Sequence, residues 1–240
     1  MKKSTFERFI SKYNLSGAGF DAVTWKSDAT GLSTKFVSDD KHVIGHVSTP
    51  DITLDAGTYS ISETPVLRAL IGVLDEVIDV KVQTVQTKSV ALNFKDATTK
   101  VSFVLSDAAN IPGVPVIKQM PDFNVVFKFD KTLMDRFIRA KGALSDVDTF
   151  TVMSDGTKVD IVLGYSKNNT NRVTIGVVPE LTEKITPIDF SARYMKEIFV
   201  ANKEAESGKL EISTDGLSRV TFEISDFTVL YYLPEVKRED

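Results

Sequence analysis

His42 and His46 are the only histidines of the 240-residue chain, and they stand four residues apart in "KHVIGHVST". On a helix that spacing places two imidazoles on one face as potential metal ligands. Val43, Ile44, Val47 and Thr49 surround a central Gly45, however, and such a run reads as a strand, so the pair is expected to be ordinary strand residues and no metal site is expected. The Asp155-Gly156 pair of "VMSDGTKVDIV" has the composition of a hairpin turn. The chain contains no cysteine, which excludes disulfides, thiolate metal sites and a cysteine nucleophile. It also lacks G-x-x-x-x-G-K-[ST], G-x-S-x-G and H-E-x-x-H. The residues for covalent or metal-assisted catalysis are missing. The protein is not expected to be an enzyme or to carry a cofactor.

What the sequence does concentrate is positive charge. The formal charge of the whole chain is −4, yet residues 1–16, 130–144 and 189–203 hold eleven basic against five acidic side chains, a local +6 that leaves −10 elsewhere. Lys3, Arg8, Lys12, Lys131, Arg136, Arg139, Arg193, Lys196 and Lys203 lie in these three segments. One such segment alone would be read as a solvated helix face. Three of them in an acidic protein point to sequence-independent attraction for a polyanion, with the acidic remainder resisting nonspecific adhesion.

The elements that position these cations recur. "ERFISK" and "DRFIRA" place Arg8-Phe9-Ile10 and Arg136-Phe137-Ile138 at an offset of 128, and the same offset relates Lys3 to Lys131, Lys81 to Lys209, Phe94 to Phe222, Val101 to Val229, Phe103 to Tyr231 and Leu105 to Leu233. In the first half, Phe6, Phe9, Ile10 and Tyr13 form the apolar stripe of a helix over Thr5–Tyr13. Strands are expected at 20–27, 32–38, 42–47 and 58–62. A second helix starts at Glu63-Thr64-Pro65, with Val66, Leu67, Leu70, Ile71 and Leu74 at helical spacing and with an acidic balance, Arg68 against Glu63, Asp75 and Glu76. Three strands follow at 79–85, 89–95 and 99–106. The second half repeats the plan, with helices over Lys131–Leu144 and Phe190–Lys203 and strands at 148–154, 158–166, 172–178, 209–214, 218–225 and 227–233. Between the halves, "SDAANIPGVPVIKQMPDF" has three prolines, a glycine and no periodicity, so it reads as an extended linker. The expected organisation is α+β: a domain over 1–109, a connector over 110–121 and a second domain over 122–240. No segment reads as a membrane span or signal peptide, which implies a soluble, cytoplasmic protein.

Duplicated domains with two helices and many strands, basic helices in an acidic chain, a proline-bearing connector and the ending "FTVLYYLPEVKRED" together resemble the DNA polymerase sliding clamps. The layout is most similar to the T-even-type phage clamp, and "LYYLPE" is also similar to the end of proliferating cell nuclear antigen. The resemblance implies the DNA-clamp fold, each domain packing two helices on antiparallel sheet, and a closed homotrimeric ring of three two-domain chains around duplex DNA. It implies a processivity factor of DNA replication whose partners are double-stranded DNA, a DNA polymerase and an ATP-dependent clamp loader, acting in the host cytoplasm if the protein is viral. The basic residues above are then the DNA-facing set. Lys100, Val101, Phe103 and Leu105 of one chain are expected to pair with Val173, Ile175 and Val177 of the next. A pocket for partner peptides carries over to Ile111, Pro112, Val114 and Pro115 on the connector and Tyr232, Leu233 and Pro234 on the tail, where ordinary packing of a linker on a sheet is the other reading. Lys237 to Asp240 are expected to be solvated. The rival function is a phage structural or assembly protein with duplicated β-rich domains and no DNA role.

Overall fold

The computed structural model describes residues 1–18, 21–166, 168 and 171–237. Phe20, where the first strand was expected to begin, and Arg238 to Asp240 of the tail lie outside them. The chain divides into two compact units. The first comprises Met1–Asp39, Gly45–Pro115 and Ser225–Val229; the second comprises Asp40–Ile44, Val116–Ile224 and Leu230–Asp240. Among the described residues no helix is long and apolar enough to cross a membrane.

The first unit opens with α1 (Lys3–Asn14), whose stripe of Phe6, Phe9, Ile10 and Tyr13 is wholly buried. The helix stops where Leu15 turns into the left-handed region and the Asn14 side chain accepts a hydrogen bond from the Gly17 amide. Four strands follow, β1 (Val23–Asp28), β2 (Gly31–Val37), β3 (Ile44–Thr49) and β4 (Gly57–Ile61), in the sheet order β3-β2-β1-β4. Then come α2 (Thr64–Gly72), with proline in its first turn, and a second sheet of β5 (Asp79–Val85), β6 (Lys88–Lys95) and β7 (Lys100–Val104) in sequential order. Phe6 reaches both layers: its ring centroid lies 6.4 Å from Trp25 of β1 and 5.7 Å from Phe94 of β6. The helix therefore covers the inner faces of both sheets, and α2 lies beside it.

The second unit repeats this architecture with β8 (Val125–Asp130), α3 (Lys131–Ala143), β9 (Thr149–Asp155), β10 (Val159–Leu163), β11 (Val173–Val177), β12 (Leu181–Thr182), β13 (Lys184–Ser191), α4 (Ala192–Ala201), β14 (Ser207–Ser213), β15 (Leu217–Glu223) and β16 (Thr228–Pro234). One sheet runs β11-β10-β9-β13 and the other β12-β8-β14-β15-β16. Asp130 and Ser191 cap α3 and α4 through their side-chain oxygens. Phe137 of α3 packs edge-on against Phe150 of β9 at 5.3 Å and Phe199 of α4 at 5.4 Å, and Phe199 meets Phe129 of β8 at 5.2 Å. This aromatic chain is the core of the unit.

The repeat extends to strand register. Val80 faces Phe94, and 128 residues on Gly208 faces Phe222; Leu92 faces Phe103, and Val220 faces Tyr231. Lys3 and Lys131 open α1 and α3, while Thr64 and Ala192 open α2 and α4. Three strands were not expected. β8 lies between the connector and α3, a stretch to which the sequence pattern assigns no element. β12 has only two residues, and β13 carries Pro187 at a break in register between Ile185 and Ile188, where a proline costs no ladder bond but hides the strand pattern. The last helix accordingly starts at Ala192 rather than Phe190.

The added β8 explains one difference between the units. Gly208 lies opposite Phe129 of β8, and a Cβ there would come within 2.3 Å of the Phe129 ring and 2.5 Å of the Thr221 carbonyl oxygen. Among the described residues the first unit has only an isolated bridge from Lys2 to Val77 at the corresponding edge, and Val80 occupies the equivalent position. Gly208→Val, which installs the residue of the first unit, is expected to destabilise the protein by about 1–3 kcal/mol through overpacking, read as a lower urea midpoint with unchanged slope.

Candidate nucleic-acid and partner surfaces

The nine candidate cations fall into two groups. Those of α1 are engaged inside the first unit. Lys3 donates from Nζ to the Leu74 carbonyl at 2.7 Å. Arg8 makes a two-pronged contact with Asp226, Nη1 to Oδ2 at 2.5 Å and Nη2 to Oδ1 at 3.0 Å, and its guanidinium lies 4.7 Å from the Phe227 ring centroid. Lys12 is fully buried, its Nζ 5.0 Å from the same ring. In this structure Lys12 offers no charge to solvent, so the expectation that it faces DNA is corrected: the turn that carries Phe227 covers the part of α1 that bears Arg8 and Lys12. The hydrogen bond and charge of Arg8 hold the Asp226 carboxyl below its ordinary value, against the opposing effect of burial.

The cations of the second unit are presented outward. Lys131, Arg136 and Arg139 of α3 are exposed, as are Arg193 of α4 and Lys203 just beyond it, while Lys196 is half-buried. Arg139 donates to the Asp135 carbonyl at 3.3 Å, Lys196 pairs with Glu197 at 3.3 Å, and Arg193 lies 5.5 Å from the Tyr194 ring centroid. The acidic reading of α2 is also corrected. Thr64–Gly72 contains one charged residue, the exposed Arg68; Glu63 is the residue before the helix, and Asp75 and Glu76 lie past its end.

β7 and β11 are among the strands that end their sheets: β7 pairs with β6 only and β11 with β10 only. On β7, Val101 and Phe103 point into the core while Lys100, Ser102 and Val104 are exposed; Leu105, just beyond, donates its amide to the Val90 carbonyl at 2.9 Å. On β11, Ile175 is buried and Val173 and Val177 are half-buried. A cavity of about 470 Å³ opens beside β11 between α3 and β8.

Of the connector residues, Ile111 and Val114 are half-buried and Pro112 and Pro115 exposed. On β16 the burial alternates, so Leu233 is wholly buried on the core face with Val229 and Tyr231, while Tyr232 and Pro234 lie on the other face. Leu233 is thus a core residue and not a surface for partners, a consequence of period-two alternation. Tyr232 stands opposite Arg219, which is bound to Glu211 and stacked 4.6 Å over Phe123. The Glu211 carboxyl is desolvated, but the hydrogen bond and charge of Arg219 outweigh this and lower its pKa.

His42 is half-buried, with Nδ1 3.5 Å from Asp40 Oδ2, and His46 lies on β3 with a pKa lowered by burial and by the charge of Lys35. Among the described residues no three His, Cys, Asp or Glu side chains gather as a metal site. Asp226 and Phe227 are neighbours of Arg8 and Lys12 that sequence reasoning missed. They belong to a turn 218 residues from Arg8, and the internal repeat offers no hint because Thr98 and Thr99 stand at the equivalent positions.

The chain matches proliferating cellular nuclear antigen from Entamoeba histolytica with a TM-score of 0.77 and 14% identity over 99% of this chain and 97% of that one. It matches A. fulgidus PCNA, in a structure bound to the C-terminal region of FEN-1, with 0.77 and 14% over 100% and 98%. It matches the PCNA2–PCNA3 complex from Sulfolobus tokodaii with 0.73 and 9% over 95% and 96%. The sequence matches no protein-family model and no curated protein. The protein has the DNA-clamp fold, with helices packed against antiparallel sheets in each of two similar domains.

Because the Asp226 pKa is lowered in the folded state, its contribution to stability is present above the ordinary carboxylate pKa of 3.8 and is lost as pH falls through the lowered value. Asp226→Asn is therefore expected to lower the thermal midpoint at pH 7, with the gap to wild type closing as the pH falls below about 3.8. Melting curves across a pH series check both the sign and the window.

Proposed function

We propose that this protein is a sliding clamp that encircles duplex DNA as a homotrimer and tethers a replicative DNA polymerase. The observation that carries the reading is the pair of units whose sheets β5–β7 and β14–β16 share one strand order and one register at an offset of 128 residues, in a chain matched over its whole length by PCNA structures. Self-assembly is supported by the PCNA2–PCNA3 complex and by the two terminal strands β7 and β11, whose Lys100, Val101, Phe103, Leu105 and Val173, Ile175, Val177 are the proposed joint between copies. Binding of partner segments is supported by the FEN-1 complex of the A. fulgidus protein; here Ile111, Pro112, Val114, Pro115, Tyr232 and Pro234 are the proposed contacts. An ATP-dependent loader that opens the ring, a viral source of the T-even type and action in the host cytoplasm complete the proposal, the last two resting on the sequence layout alone.

No bond is made or broken in this mechanism. Lys131, Arg139, Arg193, Lys196 and Lys203 attract phosphates across water, and attraction screened over roughly 8 Å at physiological salt permits movement along the duplex. Closure prevents escape, and tethering raises the effective concentration of polymerase at the primer end.

Light scattering at micromolar concentration is expected to give about three chain masses. The protein should be retained on nicked circular DNA after loading and slip from the linear form, with retention weakening as salt rises. Retention indifferent to DNA ends, or none, favours a structural assembly protein instead. Reversal of Arg139, Arg193, Lys196 and Lys203 together is expected to abolish long extension products while leaving the melting midpoint within a few degrees.

A further inference from the structure

In the first unit, the turn Ser225–Val229 is seated on α1. Asp226 clasps Arg8, and Phe227 lies beneath both Arg8 and Lys12. Carried through the 128-residue repeat, Arg8 and Lys12 become Arg136 and Ala140 on α3, and Asp226 and Phe227 become Thr98 and Thr99 on the turn between β6 and β7. The second unit has an open groove at Arg136, the counterpart of Arg8, bordered in addition by β8, which the first unit lacks among the described residues. It is about 470 Å³ and is walled by Asp130, Leu133, Arg136, Ile175 and Val177. Arg136 is exposed and forms no ion pair among the described residues. The turn that would match it is closed at its base, where the Thr98 and Thr99 amides donate to Asp96 Oδ1 at 2.8 and 2.6 Å.

From this we infer, resting on the self-assembly proposed above, that the occupant of the α3–β11 groove is the Ala97–Thr99 turn of a second copy of this chain, and that this joint lacks the clasp which locks its counterpart within the chain. The reasons are the groove's place at Arg136, whose counterpart Arg8 is already covered by a turn of this chain, and the adjacency of both features to unpaired edges: the turn leads into β7, and the groove borders β11. The chemistry of the joint is weaker by three changes. A carboxylate is replaced by the Thr98 hydroxyl, an aromatic ring by Thr99, and the second cation by Ala140. A guanidinium facing a hydroxyl keeps at most one hydrogen bond to a neutral acceptor, whereas the Arg8 clasp has two bonds to a carboxylate. Thr98 is therefore the residue that sets how readily this turn leaves the groove.

Subunit exchange between unlabelled and ¹⁵N-labelled full-length protein, followed by native mass spectrometry, tests this. Thr98→Asp is expected to slow exchange roughly 10-fold, as a charge-assisted pair with Arg136 forms across the joint. Arg136→Glu alone is expected to leave the rate within about 2-fold of wild type, and in the Thr98→Asp background to remove the slowing entirely. Melting curves identical to wild type show that each variant is folded. If Thr98→Asp slows exchange equally with and without the Arg136→Glu substitution, or has no effect in a stable trimer, the inference is overturned while the clamp reading stands. A strict monomer at every concentration overturns both.

Discussion

A sheet of finite width ends in strands whose outward N–H and C=O groups have no ladder partner, and the rest of this structure is arranged around that constraint. β7 and β11 are such strands. Edges that must stay single are usually blunted by proline, a bulge or several charges. Neither strand contains a proline or a break in register, and Lys100 is the only charged residue on either. Val104 and Val178 are 74% and 88% exposed beside them. Edges with these features are suited to continued pairing, and two of them on opposite halves of a duplicated chain make a head-to-tail assembly geometrically economical.

The helices answer a different requirement. Each unit has two sheets whose apolar faces need one cover, and a single amphipathic helix supplies it only if its stripe is wide enough to touch both. Phe6, Phe9 and Tyr13 do this in α1, as Phe137 does in α3 with Phe199 of α4. The opposite faces are then free to carry charge at little cost, and in the second unit they carry Lys131, Arg139 and Arg193. In α1 the turn bearing Asp226 and Phe227 covers Lys12, whose ammonium group is held over the Phe227 ring and near Asp226.

Much of this was legible in residue order. Stripes at i, i+3, i+4 and i+7 marked the helices because burial of one face leaves a period of 3.6 whatever else the helix does. The 128-residue offset marked the duplication because Phe94 and Phe222, or Phe103 and Tyr231, must fill equivalent core positions. The losses have equally physical origins. β13 was hidden because Pro187 sits at a bulge, and β8 because a strand that immediately follows an irregular connector has no turn signal to announce it. Charge proved the least legible quantity. Counting Lys12 with Arg193 treats a lysine as exposed by type, whereas its partners come from a turn near the far end of the chain, and no local pattern encodes them. Leu233 was misread in the opposite direction: its neighbours Tyr232 and Pro234 lie on the outer face, and alternation along β16 puts it inside.

Duplication followed by divergence also explains why equivalent positions carry different energetic roles. Arg8 and Arg136 occupy the same place on matching helices, yet one is neutralised by Asp226 and the other stands in solvent. A single ion pair at the surface contributes little, roughly 0–1 kcal/mol, but a forked arginine–carboxylate pair backed by an aromatic ring is held by geometry as well as charge. Fixing one copy of a repeated contact and leaving the other loose divides the labour between them. The contact inside a chain never needs to break, so strength there is harmless; in the proposed assembly its counterpart between copies is the one whose strength sets exchange. Arg136, exposed and with no carboxylate opposite it among the described residues, keeps its donors for a neutral partner, whereas those of Arg8 are committed to Asp226.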